Sequence, residues 1–145
     1  MLDDMARPEG IPIGLQLART ARAVSQEFER AMAEAGGSVS AWQVLLLVRS
    51  GQWGTQSQLA EAMGVTSATM THHLNSLEAQ GLVRRWREPD NRRVQQVELT
   101  EDGIATFNRL REVAVAHDQR LRSRITTAEA DQLATLLPKL ESAPD

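Results

Sequence analysis

The segment SQLAEAMGVTSATMTHHLNSLEAQG, residues 57–81, constrains the fold more than any other, because it contains two helical runs separated by a short glycine turn. Thr55 and Gln58 have the spacing of a capping box at the start of the first run, and Gly64 is placed to end it. The second run covers residues 66–80. Two short helices joined by so tight a turn are typical of a helix-turn-helix.

The second run has an apolar face and a polar face. Met70, Leu74 and Leu77 recur at helical spacing, which predicts that they pack on the first run. Their expected partners are Leu59, Ala60 and Met63. The other surfaces carry Ser67, Ala68, Thr69, Thr71, His72, Asn75 and Ser76. Small polar side chains can reach base edges and phosphates in a DNA major groove, but they equally suit a merely solvated helix face.

A charged hairpin is predicted next, because residues 82–87 and 94–100 are strand-like and the EPDN between them marks a turn. The window RRWREPDNRR, residues 84–93, holds five of the fifteen arginines against two acids, although the chain has a net charge of −3. Phosphate binding depends on the local field and arginine is favoured in a narrow minor groove, which predicts a DNA-binding wing. The alternative is an exposed hairpin whose arginines only keep an edge strand soluble. The candidate wing residues are Arg84, Arg85, Arg87, Asp90, Asn91, Arg92 and Arg93.

Helical patterns flank this central unit on both sides. Long helices are expected over residues 13–35 and 101–124, and shorter ones over residues 39–50 and 126–140. The sequence therefore predicts a mainly α fold with a small β-hairpin wing (α+β), in a single domain of residues 1–145.

Several classes of function lack any sequence signal. The chain has no cysteine, which removes disulfides, thiolate catalysis and cysteine metal sites. The three histidines do not have the spacing of a zinc site, and no catalytic or cofactor-binding motif is found, so no metal, cofactor or enzymatic activity is expected. No stretch approaches the ~18 to 20 apolar residues of a membrane span, and a cytoplasmic protein is expected.

The stretch from Leu59 to Gly103 resembles the multiple antibiotic resistance regulator (MarR) family. A Gly-Leu-Val entry into the first strand, an Asp-x-Arg pair in the wing and a Leu-Thr-x-x-Gly exit carry the resemblance. The flanking helices fit in number, order and length, so it covers nearly the whole chain. The matching residues are Leu59, Ala60, Gly64, Val65, Thr69, Thr71, Leu77, Glu78, Gly81, Leu82, Val83, Arg85, Asp90, Arg92, Leu99, Thr100 and Gly103.

The resemblance implies a winged helix-turn-helix with N- and C-terminal dimerisation helices. Such a protein is a homodimeric transcriptional regulator, expected here to be a repressor, on a pseudo-palindromic double-stranded DNA operator. The winged lobe would span residues 38–100, and residues 11–35 with 101–142 would form the dimer. Apolar stripes on residues 104–121 and 133–140 agree, because they exceed what one small lobe needs.

The resemblance also implies roles for single residues. Arg92 is the wing arginine expected in the minor groove, and Asp90 is expected to hold the wing by pairing with an arginine. In the family, small aromatic or anionic effectors such as phenolic acids bind where the DNA-binding lobe meets the dimer helices. Arg22, Phe28 and Trp42 are therefore candidates for an effector pocket, although Trp42 equally suits the core.

Two departures from the family concern charge. Relatives often carry arginine at position 72 and arginine or lysine at position 76, where this chain has His72 and Ser76. Residues 67–77 thus bear no formal charge with histidine neutral, and the wing is expected to supply more of the attraction to phosphates. The same feature leaves open a winged-helix protein-interaction module that does not bind DNA. His73 is expected at a packing edge, and His117 in the core or an interface.

Overall fold

The computed structural model describes residues 10–141; residues 1–9 and 142–145 of the predicted domain, with the last residue of the predicted dimerisation segment, lie outside the described part. Within it, six α-helices and one two-stranded sheet follow in the predicted order. They are α1 (Ile13–Glu34), α2 (Val39–Ser50), α3 (Gln56–Met63), α4 (Ser67–Ala79), β1 (Val83–Arg87), β2 (Gln95–Leu99), α5 (Glu101–Ser123) and α6 (Thr127–Leu136). The predicted α fold with a hairpin wing is confirmed.

Side-chain caps start α2, α3 and α6 where the sequence predicts them. Thr55 and Gln58 form the capping box of α3, and Thr126 and Glu129 form that of α6. Ser38 caps α2 by accepting a backbone amide at 3.1 Å. These caps satisfy amides that the first turn of a helix leaves without partners, so local sequence alone sets the boundaries.

The last helix is shorter than predicted. The pattern over residues 126–140 predicted one continuous helix, but α6 ends at Leu136 and Leu137–Leu140 form a 3₁₀ turn. Pro138 has no amide hydrogen and its ring opposes a continuing α-helix, which explains the tighter turn.

The core of the winged lobe lies where α3, α4 and the hairpin meet. Its buried members include Met70, Leu74 and Leu77 from α4 and Leu59 and Ala60 from α3, as predicted. Met63, also predicted here, packs at the edge of the core and is only partly buried. Full burial of a Leu or Met side chain contributes about 1.5–3 kcal/mol, so this apolar face fixes which side of α4 faces outward.

The wing is an antiparallel hairpin with support from the segment before α3. Val83 lies opposite Leu99 in the register of β1 and β2. Thr55, just before α3, forms a bridge to Gln96 of β2. This bridge partly covers the edge of β2 that does not pair with β1. It also holds the base of the wing beside α3.

Thr100 and Gly103 fasten the wing to α5. The Thr100 hydroxyl donates to the Gly81 carbonyl at 2.6 Å and accepts the Gly103 amide at 3.0 Å. A Cβ on Gly103 would overlap the carbonyl oxygen of Leu82, so only glycine lets α5 lie this close to the start of β1. The Leu-Thr-x-x-Gly pattern therefore combines a helix cap with a close contact between helix and strand.

The terminal helices expose large apolar side chains. The exposed set comprises Ile11, Ile13, Leu15, Leu17, Leu133, Leu136, Leu137 and Leu140. Phe107 and Leu110 of α5, in contrast, are buried within the protomer, so part of the predicted α5 stripe packs internally. Among the described residues no single helix is long and apolar enough to span a membrane; α1 and α2 pass that test only as a pair bent by 80°. A cluster of exposed leucines is typical of an interaction surface.

We predict that Gly103→Ala destabilises the protein, because the new methyl group forces α5 away from Leu82. Overpacking of this kind costs roughly 1–3 kcal/mol, measurable by chemical denaturation followed by circular dichroism. Gly14→Ala in α1 is the matched control, since no atom of residues 10–141 in the same protomer lies within 4 Å of its Cβ position. The control should be neutral or more stable than the wild type, and equal stability of all three proteins would contradict the assignment.

Candidate nucleic-acid interface

The outward surface of α4 is polar and accessible. Thr66 begins the helix by accepting the amide of Thr69 at 3.1 Å. Of the candidate recognition residues, those exposed are Ser67, Ala68, Thr69, His72, Asn75 and Ser76. Thr71 is half-buried, and its hydroxyl accepts a hydrogen bond from Nε2 of Gln56 at 2.6 Å. The α3–α4 pair thus presents the predicted polar face, with one member held against α3.

The five wing arginines fall into two groups. Arg84 pairs with Glu98 across the hairpin, and Arg85 pairs with Glu78 of α4 at 2.9 Å. The remaining three, Arg87, Arg92 and Arg93, have no carboxylate within 4.0 Å in residues 10–141. Two of the five wing cations therefore have a carboxylate partner within the chain.

The turn of the wing is shaped by hydrogen bonds to the backbone. Arg87 donates from Nη1 to the Arg92 carbonyl at 2.9 Å, and the Asn91 side chain accepts the amide of Arg93 at 3.2 Å. The predicted pairing of Asp90 with an arginine is wrong for this chain on its own, because no cation lies within 4.0 Å of its carboxylate in the described residues. The backbone carbonyl of Arg92 as an acceptor and the backbone amide of Arg93 as a donor thus take part in the support that Asp90 was expected to give.

Arg85 connects the wing to the recognition helix. Its Nη2 donates to Oε1 of Glu78 at 2.9 Å and to Oδ1 of Asn75 at 2.6 Å. The side chain is only 12% exposed, compared with 43% for Glu78. The hydrogen bond from Arg85 holds the pKa of the Glu78 carboxyl below its ordinary value, against a smaller opposing effect of burial, so this carboxylate is charged at neutral pH.

A cleft of about 730 Å³ separates the start of α3 and α4 from the wing. Its lining includes Gln56, Ser57, Ser67, Thr71, Arg87 and Arg93. Gln56 and Ser57 were not among the sequence candidates. Their position in the first turn of α3 is the sequence signal that could have identified them, because free amides of a helix N-terminus favour anions.

The candidate effector residues each have their own surroundings in the described structure. Phe28 stacks on His117 with ring centroids 4.7 Å apart, and Trp42 stacks on Phe107 at 5.4 Å. Arg22 lies exposed on α1. The two aromatic candidates thus occupy the junctions of α1 and α2 with α5, where they pack on other rings.

The three histidines differ in how deeply they are buried. His117 is buried, as expected, and its Nδ1 has no hydrogen-bond partner in the described residues. His73 is partly buried beside α2, also as expected, while His72 is exposed. No group of three or more potential metal ligands is found among residues 10–141.

Comparisons with known proteins agree with this geometry. The MarR family model matches residues 38–94, from the cap of α2 to the wing. A protein assigned as a transcriptional regulator for the hcr operon of Thauera aromatica is 30% identical over 129 residues, which are 88% of this chain and 78% of that protein.

Two solved structures of CouR, a transcriptional repressor of Rhodococcus jostii RHA1, share the fold. The one bound to a 23-mer DNA duplex has a TM-score of 0.82 at 28% identity, covering 90% of this chain and 93% of that chain. The one bound to p-coumaroyl-CoA has a TM-score of 0.74 at 24% identity, covering 92% and 95%. Together with the family model and the similar regulator, these likenesses show that the chain is a DNA-binding transcriptional regulator and belongs to the MarR family.

Proposed function

We propose that the chain acts as a homodimeric repressor, in which α4 enters the major groove of a pseudo-palindromic operator and the wing enters the adjacent minor groove. The observation that carries this proposal is the cleft between α4 and the wing. It is lined by hydroxyl and amide side chains and by three arginines, of which Arg87 and Arg93 have no carboxylate partner in residues 10–141. Its chemistry matches a phosphate backbone, because unpaired guanidinium groups and neutral donors bind phosphate oxygens without repulsion.

Three wing arginines supply the electrostatic part of the proposal. Arg87, Arg92 and Arg93 lie beside a helix without formal charge between residues 67 and 77, so the positive field of the interface is concentrated in the wing. An arginine in a narrow minor groove gains from its enhanced negative potential. We propose Arg92, at the tip, as the minor-groove residue.

The dimer is proposed to form through the terminal helices. The exposed leucines of α1 and of residues 133–140 offer an apolar surface that a second copy can cover. Residues 38–100 are then the DNA-binding lobe, and residues 11–35 with 101–142 are the dimer region. Two recognition helices need a separation of about 34 Å to reach successive major grooves, and the dimer helices would set this distance.

The rival interpretation, a winged-helix module without DNA, is not favoured. It was suggested by the acidic chain and the uncharged α4, but the structure leaves three wing arginines unpaired among the described residues. The similar regulators support DNA binding instead. We propose accordingly that the chain is no enzyme and acts where its DNA target lies, in the cytoplasm.

An effector that releases the operator is the second part of the proposal. Trp42 of α2 stacks on Phe107 of α5, so this ring pair joins the DNA-binding lobe to a dimer helix. CouR, which shares the fold, binds p-coumaroyl-CoA, a phenolic thioester. We propose that a phenolic or other aromatic anion inserts near Trp42 and Phe28 and changes the spacing of the two lobes. A hundredfold loss of DNA affinity requires ~2.7 kcal/mol of preference for the non-binding state.

Arg92→Ala should weaken operator binding. It should also make the plot of log affinity against log salt concentration less steep, by about 0.9 in slope for each lost phosphate contact. The measurement is fluorescence anisotropy on a duplex obtained by random-sequence selection, over a range of salt concentrations. Arg84→Ala removes the same charge from a residue already paired with Glu98, and its slope should change less. An Arg92→Ala slope equal to that of the wild type would contradict the wing assignment.

Leu136→Glu should dissociate the dimer, because a side chain that is 54% exposed in one protomer would carry a charge into the apolar interface. Light scattering coupled to size-exclusion chromatography measures the mass directly. Trp86→Glu adds the same charge on the wing, at a side chain 42% exposed, and should leave the dimer intact. A monomeric wild type, or a dimeric Leu136→Glu variant, would show that the terminal helices do not form the interface.

Phenolic acids and their thioesters should quench the fluorescence of Trp42 and weaken operator binding in the same concentration range. Trp42→Phe keeps an aromatic ring against Phe107 and removes the reporter, so the quenching should disappear while the fold survives. Equal quenching in the variant would place the ligand near Trp53 or Trp86 instead. Quenching without any loss of DNA affinity would refute release by this effector.

A further inference from the structure

The amide of Asn75 is held in one orientation by the wing. Asn75 lies on the exposed surface of α4, and its Oδ1 accepts from Nη2 of Arg85 at 2.6 Å. A guanidinium group only donates hydrogen bonds, so the atom that faces it must be the amide oxygen. The opposite orientation would bring two sets of N–H donors together.

This orientation leaves the amide nitrogen of Asn75 for an external partner. Its two N–H groups have no acceptor among residues 10–141. Ser67, Thr71 and Asn75 recur every four residues and so follow one side of α4, and the first two line the cleft beside the wing. The free donors therefore lie on the side of the helix that continues this cleft.

We propose that Arg85 is a positioning residue, which fixes Asn75 as a hydrogen-bond donor toward DNA. Asn75 would then select an acceptor, either a major-groove base acceptor such as purine N7 or a phosphate oxygen. The proposal rests on the mode of DNA binding proposed above, with α4 in the major groove. It adds that Asn75 is the hydrogen-bond donor in one contact of that interface.

The surroundings of Arg85 suit a positioning residue better than a residue that binds phosphate. Arg85 is 12% exposed, and both hydrogens of its Nη2 are used by Asn75 and Glu78. Glu78 offsets its charge at a distance of 2.9 Å. Arg85 also lines the cleft, but Glu78 offsets its charge there, so we expect it to attract phosphates less than Arg92, which has no carboxylate within 4.0 Å in residues 10–141.

Asn75→Asp tests the proposal with the smallest change of shape. The carboxylate can still accept from Arg85, but it has no hydrogen to donate outward. Loss of one hydrogen bond should lower affinity roughly three- to tenfold, and the added charge should lower it further. The control is Asn91→Asp, which adds the same charge on the wing and keeps its bond to the amide of Arg93.

The acceptor is located by substitution in a selected duplex. Purines are replaced one at a time by 7-deazapurines, other base pairs are changed singly, and phosphates are replaced by methylphosphonates. We expect one substitution that weakens the wild type and Asn91→Asp by a similar factor, but has no effect on Asn75→Asp or Asn75→Ala. A base substitution with this behaviour identifies a base acceptor, and a methylphosphonate identifies a phosphate oxygen.

Arg85→Ala provides an independent measurement. It should reduce discrimination at that same position while its salt slope stays close to that of the wild type, whereas Arg92→Ala should change the slope. Thermal unfolding by circular dichroism establishes that each variant is folded. The inference is overturned if Asn75→Asp responds to every substituted duplex by the same factor as the wild type. If random-sequence selection yielded no duplex that the wild type binds, the proposed operator binding itself would be overturned.

Discussion

Burial of the apolar face of α4 is the constraint on which the rest of the structure depends. Met70 and Leu74 are completely buried, and Leu77 nearly so, against α3 and the adjoining core. Three such side chains together contribute several kcal/mol, of the order of the whole stability of a small domain. The helix cannot rotate without exposing them, so its polar side faces outward at a fixed angle. The same packing also fixes the start of β1, which follows α4 after a single turn.

The second organising feature is the use of charge within the wing. Two arginines are paired with carboxylates, one across the hairpin and one on α4, and three are without such partners in residues 10–141. Surface pairs such as Arg84 with Glu98 contribute about 0–1 kcal/mol, so their effect on stability is small. In the proposed interface they matter more, because they leave Arg87, Arg92 and Arg93 as the wing arginines without a carboxylate partner in residues 10–141. An acidic protein can in this way present a local positive surface next to an uncharged recognition helix.

The sequence predicted most of the fold because its signals are local. Capping boxes at Thr55 and Thr126, the glycine after α3 and the period of the apolar residues of α4 all act within a few residues. The end of α6 was predicted too late, because the leucine stripe continues through a 3₁₀ turn at Pro138. The candidate site was predicted in outline. It differs from the structure at Asp90, which has no arginine partner in residues 10–141, while the DNA contacts of the wing arginines stay a prediction.

By itself, the sequence determined the order of the elements and most of their limits, the buried face of α4, and the presence of an arginine-rich hairpin. These follow from propensities, caps and periodicity, which depend on neighbours along the chain. Only the tertiary structure decided which arginines are paired, where the amide of Asn75 is held, and why position 103 is glycine. Each of these depends on groups brought together from distant parts of the chain, such as Arg85 and Glu78 or Gly103 and Leu82. No local pattern encodes those distances, because they are set by how α4, the wing and α5 pack on one another.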